Sequence, residues 1–249
     1  KKKEESENIM SKLSPSLKGL INAPFARPGQ APAPPRIREV YQRIAQEARD
    51  AKYGEKPWLA LSAAATFTLN SPASLTILHQ VATTSSPTNP LSAAELIREI
   101  GLKCISFNGI PRTINCLNAF RADFLVSQPF LPQLSTTPTR QLTPANADAI
   151  AQRGRALWKS VYTPLHDKLE ARLAESHPDL PVYILGSHYG PLLSDPQTRG
   201  GLGVVGRNLT SVVAIASLRA QTGVGPQVLS HVFGLRKGVE QGTHREEFG

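Results

Sequence analysis

Residues able to do acid–base, redox or anion chemistry gather in three stretches of this 249-residue chain. In LSAAELIREIGLKCISFNGIPRTINCLNAF, residues 91–120, Glu99 stands four positions before Lys103, and Cys104 follows at once. A carboxylate and an ammonium one helical turn apart form an ion pair. They become an acid–base couple only if burial pulls the lysine pKa far below ~10.4. Cys104 and Cys116 supply thiols, but they lie twelve positions apart and the chain has no CxxC, so a vicinal dithiol cycle is excluded. His79 and His231 each sit within an apolar helical pattern, where a histidine is either packed core or a proton carrier.

The third stretch holds Arg199 and Arg207 on either side of Gly201-x-Gly203-x-x-Gly206. A dinucleotide-binding turn needs a strand before these glycines and an acid ~20 residues after them. The approach here is the loop SDPQTRG, and no acid occurs between Asp195 and Glu240. What survives is an anion site on the amides of a helix starting near Asn208, assisted by Arg199 and Arg207. His188, in GSHYG, is placed for presentation to a ligand, whereas His166, His177 and His244 read as surface residues. The histidines and cysteines show no metal-ligand spacing and there is no G-x-S-x-G elbow, so neither a metal, a cofactor nor hydrolase chemistry is expected.

The elements that must hold these groups are helical. Ser92 with Glu95 three positions on has capping-box spacing. Leu96, Ile97, Ile100, Cys104 and Phe107 then form one apolar stripe. Gly109 suits a left-handed helix end and Pro111 the first turn of a following helix, which puts Ile114, Leu117 and Phe120 on one face. Further helices are predicted at 37–51, 58–69, 72–84, about 145–176 with Pro164 as a kink, about 208–221 and 225–240. Residues 127–147 carry repeated Pro breaks and read as a surface loop, and PVYILGSHYGPLL as a strand or extended chain. The expected fold is all-α. Residues 1–35 would form a basic, Pro-rich extension and 36–249 the helical domain.

Shifting the chain by 152 residues sets His79 over His231, Ala64 over Ala216, Leu61 over Val213 and Ile77 over Leu229. This points to two related helical pairs, convergence of Ala-rich helices being the alternative.

The hairpin, with Glu99, Lys103, Phe107, Gly109, Pro111 and Asn115, resembles the carboxymuconolactone decarboxylase and alkyl hydroperoxidase D-like proteins. LALSAAATFTLNSPASLTILHQVA and NLTSVVAIASLRAQTGVGPQVLSHVFGLRKG resemble that family's helical pairs, so the likeness covers about 58–124 and 207–240. The resemblance implies a helical bundle that associates into homo-oligomers. In its hydroperoxidase branch a CxxC pair reduces peroxide with a Glu and a His relaying protons. In its decarboxylase branch a His on the hairpin helix is the general acid/base, and here Lys103 takes that place. The expectation is therefore a non-catalytic scaffold or subunit of a larger assembly. The alternative is an atypical decarboxylase-, lactonase- or peroxidase-like enzyme using Glu99, Lys103, Cys104, His79 or His231.

Composition narrows the setting. Two cysteines suit a reducing compartment, and no apolar run approaches the ~20 residues of a membrane-spanning helix. A net charge of +9 attracts polyanions, RNA among them, so a ribonucleoprotein such as a mitochondrial ribosome is one expected setting. The first nine residues read as a solvated lead-in, and Met10 would serve as a native start. From Met10 to Arg38 there is no acid while Lys12, Lys18, Arg27, Arg36 and Arg38 are basic, the composition of a mitochondrial transit segment. Mitochondrial residence is expected, with the cytoplasm as the alternative.

Overall fold

The computed structural model describes residues 13–84, 89–128, 134–196 and 203–249. The solvated lead-in, Arg199 and Gly201 lie outside them, as does part of the Pro-rich loop. The chain divides into two compact units, Lys1–Ala31 and Pro32–Gly249. In the first, helix α1 (Pro15–Ile21) is capped by Ser14, whose Oγ accepts from Leu17 N at 3.2 Å.

The second unit is all-α, and no strand occurs among its described residues. Its helices are α2 (Ile37–Asp50), α3 (Glu55–Thr68), α4 (Pro72–Thr84), α5 (Pro90–Asn108), α6 (Ile110–Ser127), α7 (Ala147–Tyr162), α8 (His166–Ser176), α9 (Asp179–Tyr183), α10 (Gly206–Gln221), α11 (Gly225–Glu240) and α12 (Arg245–Phe248). At its centre α3 packs on α10, and α5 lies against both. Of the two central helices α3 is rich in Ala and α10 in Ala, Ser and Val, and both are buried on nearly all sides, as helices must be that present no polar face. At Gly101 of α5 an added Cβ would stand 2.2 Å from the Phe67 ring, so this crossing of α3 and α5 tolerates nothing larger than glycine.

Several expectations change. PVYILGSHYGPLL is helical: α9 runs into a wide π-helical segment, Ile184–Leu193. Its Tyr189 and Leu193 pack with Trp158 in a second, smaller core. The predicted kinked helix of 145–176 is two helices, α7 and α8, separated at Thr163–Leu165. The N-cap of α5 is Asn89, whose side chain accepts from Leu91 N and Ser92 N, so Ser92 is already inside the helix. Gly109 has φ +84 and ψ 166, a positive-φ extended conformation rather than the left-handed helical one. The core face of α6 is Thr113, Cys116, Phe120 and Phe124, while Ile114 is half exposed. Among the described residues, no helix is long and apolar enough to cross a membrane.

Candidate functional site

α5 is expected to be amphipathic, yet three of its four charged residues are as buried as its apolar ones: Glu95 is 2 % exposed, Glu99 1 % and Lys103 0 %. Burying charge is costly unless each group is paired and hydrogen-bonded. The partners come from outside the helix. The 134–146 loop supplies Arg140, whose guanidinium grips Glu99 with two nitrogens, Nη1 to Oε2 at 3.2 Å. The same loop supplies Ser135, which donates to Glu95 through its backbone N–H at 2.6 Å and its hydroxyl at 3.0 Å. Arg98 completes that cluster, donating to Glu95 at 2.8 Å.

Lys103 points the other way. Its Nζ donates to the Leu193 carbonyl and to Thr210 Oγ1 at 3.1 Å, and it pairs with Asp195 Oδ1 at 3.0 Å. Glu99 pairs with Arg140 and Lys103 with Asp195, Arg140 also stands 3.8 Å from Asp195, and Glu99 still acts on Lys103 through its charge. Burial pulls the Lys103 pKa below its usual value, while Asp195 and then Glu99 push it back up. An ammonium has three donors, and all three are engaged.

Cys104 and Cys116 are both buried. Cys104 Sγ lies 3.6 Å from Ser217 Oγ, and burial pushes its thiol up to about 12. Burial likewise pushes Cys116 up to about 11. At neutral pH neither is a thiolate, the form that attacks peroxide or disulfide.

His79 and His231 are not brought together. His79, on α4, donates from Nε2 to the Pro90 carbonyl at 2.8 Å and is wedged edge-on against Phe120 and Phe124. Burial lowers its pKa, so it packs as a neutral ring. His231, on α11, has Nε2 3.3 Å from Tyr162 OH, which lies 2.8 Å from Tyr189 OH. Its buried Nδ1 has no hydrogen-bond partner among the described residues, and burial pushes its pKa down to about 4. His188 is partly buried in the π-helical segment, its Nδ1 3.0 Å from Ser106 Oγ.

The expected anion site at the start of α10 is filled by the protein's own carboxylates. Glu247 Oε2 accepts from Asn208 N and Leu209 N, each at 2.8 Å, and Asp195 Oδ2 accepts from Gly206 N at 2.7 Å. Arg207 turns away to the Ser160 and Gly234 carbonyls at 2.7 and 3.0 Å. Asp195, Arg140 and Glu247 were missed as site residues. Asp195 carried one signal, being the lone acid between Asp179 and Glu240. Arg140 and Glu247 carried none, because pairing across a fold leaves no local spacing.

Fold and site define a class: an all-α protein whose central helix buries a compensated charge network. No protein-family model matches the chain, and no solved structure matches it. It is similar to Peroxisomal protein 2 of Saccharomyces cerevisiae, 32 % identical over 164 residues, 59 % of this chain. The match spans 56 % of that relative's length, little more than half. The peroxisomal name of this relative overturns the mitochondrial expectation, since an acid-poor, Arg- and Pro-containing composition does not by itself define a transit segment. The relative does not support the cytoplasmic alternative either.

Proposed function

We propose that the protein is a non-catalytic member of the carboxymuconolactone decarboxylase and alkyl hydroperoxidase D-like class, serving as a helical subunit of a larger assembly in peroxisomes. The observation that carries this reading is Lys103. It stands where the family resemblance expects the general acid/base, yet it is wholly enclosed with every donor engaged by Leu193, Thr210 and Asp195. A base must reach the proton that it takes, and Lys103 has neither a path to substrate nor a free donor. The protonated thiols of Cys104 and Cys116 support the same reading. The peroxisomal setting rests on the name of the yeast relative.

The test pairs two measurements. Wild type and Lys103→Met are screened against small acids, lactones and peroxides alongside melting curves. The protein is also isolated from cells by size-exclusion chromatography with light scattering. The reading expects no turnover and a particle heavier than the 26.9 kDa chain. Turnover abolished by Lys103→Met at unchanged melting temperature would overturn it. RNA rather than protein in the heavier particle would redirect it to the polyanion partner that the +9 charge suggests. One feature favours an altered-site enzyme as second reading: a groove of about 730 Å³ passes Glu95, Glu99 and Arg140, and a substrate identified in the screen would be sought there.

A further inference from the structure

Away from the buried network, α7, α8 and α11 enclose a groove of about 660 Å³, within the usual range for small-molecule sites. Its walls include Leu165, Leu169 and Phe233, of which Leu165 is 62 % and Phe233 58 % exposed. Its rim is cationic. Lys168 and Arg172 stand at i and i+4 on α8, like charges whose proximity is unfavourable in isolation. Neither has a carboxylate within ion-pairing distance among the described residues. Lys237 adds a third positive charge, held by its bond to the Thr163 carbonyl at 3.2 Å. The one acid in the lining, Glu240, is taken by Arg236 at 2.7 Å.

We propose that this groove binds an amphipathic organic anion, a carboxylate on an unbranched apolar tail, as a carrier or sensor site. The tail lies along Leu165, Leu169 and Phe233, removing exposed apolar surface from water. The carboxylate meets Lys168, Arg172 and Lys237, relieving the repulsion between them. Apolar walls select for a tail and the uncompensated cations for a single anionic head, so neither a neutral alcohol nor a short acid satisfies the whole groove. Tyr162 lines the groove and also meets His231 and Tyr189, so occupancy of the groove is coupled to the aromatic cluster that holds Trp158, 4.2 Å from Tyr162.

The test is titration calorimetry of the full chain with dodecanoate, run beside dodecanol and butyrate. Saturable dodecanoate binding is expected, at least tenfold tighter than either control and weakening as salt is raised. The double variant K168E/R172E and, separately, Phe233→Asp should each weaken it at least tenfold with unchanged circular dichroism, since all three positions are at the surface. Equal binding of dodecanoate and dodecanol, or binding indifferent to both variants, would overturn the proposal. So would absence of binding, and a dimer that Phe233→Asp dissolves would then make this face a self-interface.

Discussion

Two helix pairs share a sequence pattern and meet different fates. In each, a small-residue central helix, α3 or α10, is followed by a helix carrying a histidine, α4 or α11. α4 is enclosed by α2, α3, α5 and α6, and seven of its residues are buried. α11 packs on α10 and α7 and buries only His231, Gly234 and Gly238. Its outer face leaves Leu229, Val232, Phe233 and Val239 near half exposed or more. The difference lies in what covers each pair. The α5–α6 hairpin closes over α4, and among the described residues nothing equivalent closes over α11. His79 is consequently locked to a backbone carbonyl, whereas His231 faces a tyrosine pair beside an open groove. The same apolar spacing therefore makes core in one pair and a surface in the other.

The sharpest way to break the comparison is to strike the element that both pairs share. Lys103→Met leaves Asp195 with only Arg140, 3.8 Å away, in a partly closed site, and should cost roughly 3 kcal/mol by urea unfolding, the lower end for a broken buried pair. A loss below about 1 kcal/mol would mean that the network is solvent-relaxed and does not hold α5 between the pairs.

Acid should separate the two histidines next. With a folded pKa near 4 against about 6.5 unfolded, His231 takes up its proton more readily in the unfolded chain. Its stabilising contribution is thus complete above about pH 6.5 and is lost as pH falls towards 4, a span worth up to about 3 kcal/mol. His79, lowered in the same direction, adds to the slope. Unfolding curves from pH 8 to 4 should show this loss, and His231→Leu should flatten much of it.

At pH 8 the replacements themselves should diverge. His79→Leu abandons the Pro90 carbonyl in a buried setting and should cost about 1–3 kcal/mol. His231→Leu removes an Nδ1 that has no partner and a long 3.3 Å contact to Tyr162 OH, which keeps Tyr189 OH at 2.8 Å, and should change stability by less than about 1 kcal/mol. Equal costs would erase the distinction between the pairs.

How far these features are legible in the sequence follows from their range. Helix existence rests on local periodicity, and 72–84 and 225–240 stand where the pattern puts them. The stretch 182–193 misled because a β-branched run bounded by glycines also fits a wide helical turn once Trp158 and Tyr189 pack it. Glu99 and Lys103 were visible as chemistry, but their partners Arg140 and Asp195 lie 41 and 92 residues away in the chain, in loops whose composition says only that they bend. The anion site failed for a related reason: the amides were read correctly as acceptor-seeking, but the carboxylate that answers them comes from the final turn.

That turn joins helices far apart in the chain. Phe248 O accepts from Gly54 N, at the start of α3, at 2.7 Å, and Glu247 caps the start of α10. Both central helices therefore have their first turns completed by residues 247 and 248. One short turn thus fastens the starts of α3 and α10 at a single place, so a change confined to it loosens both central helices together.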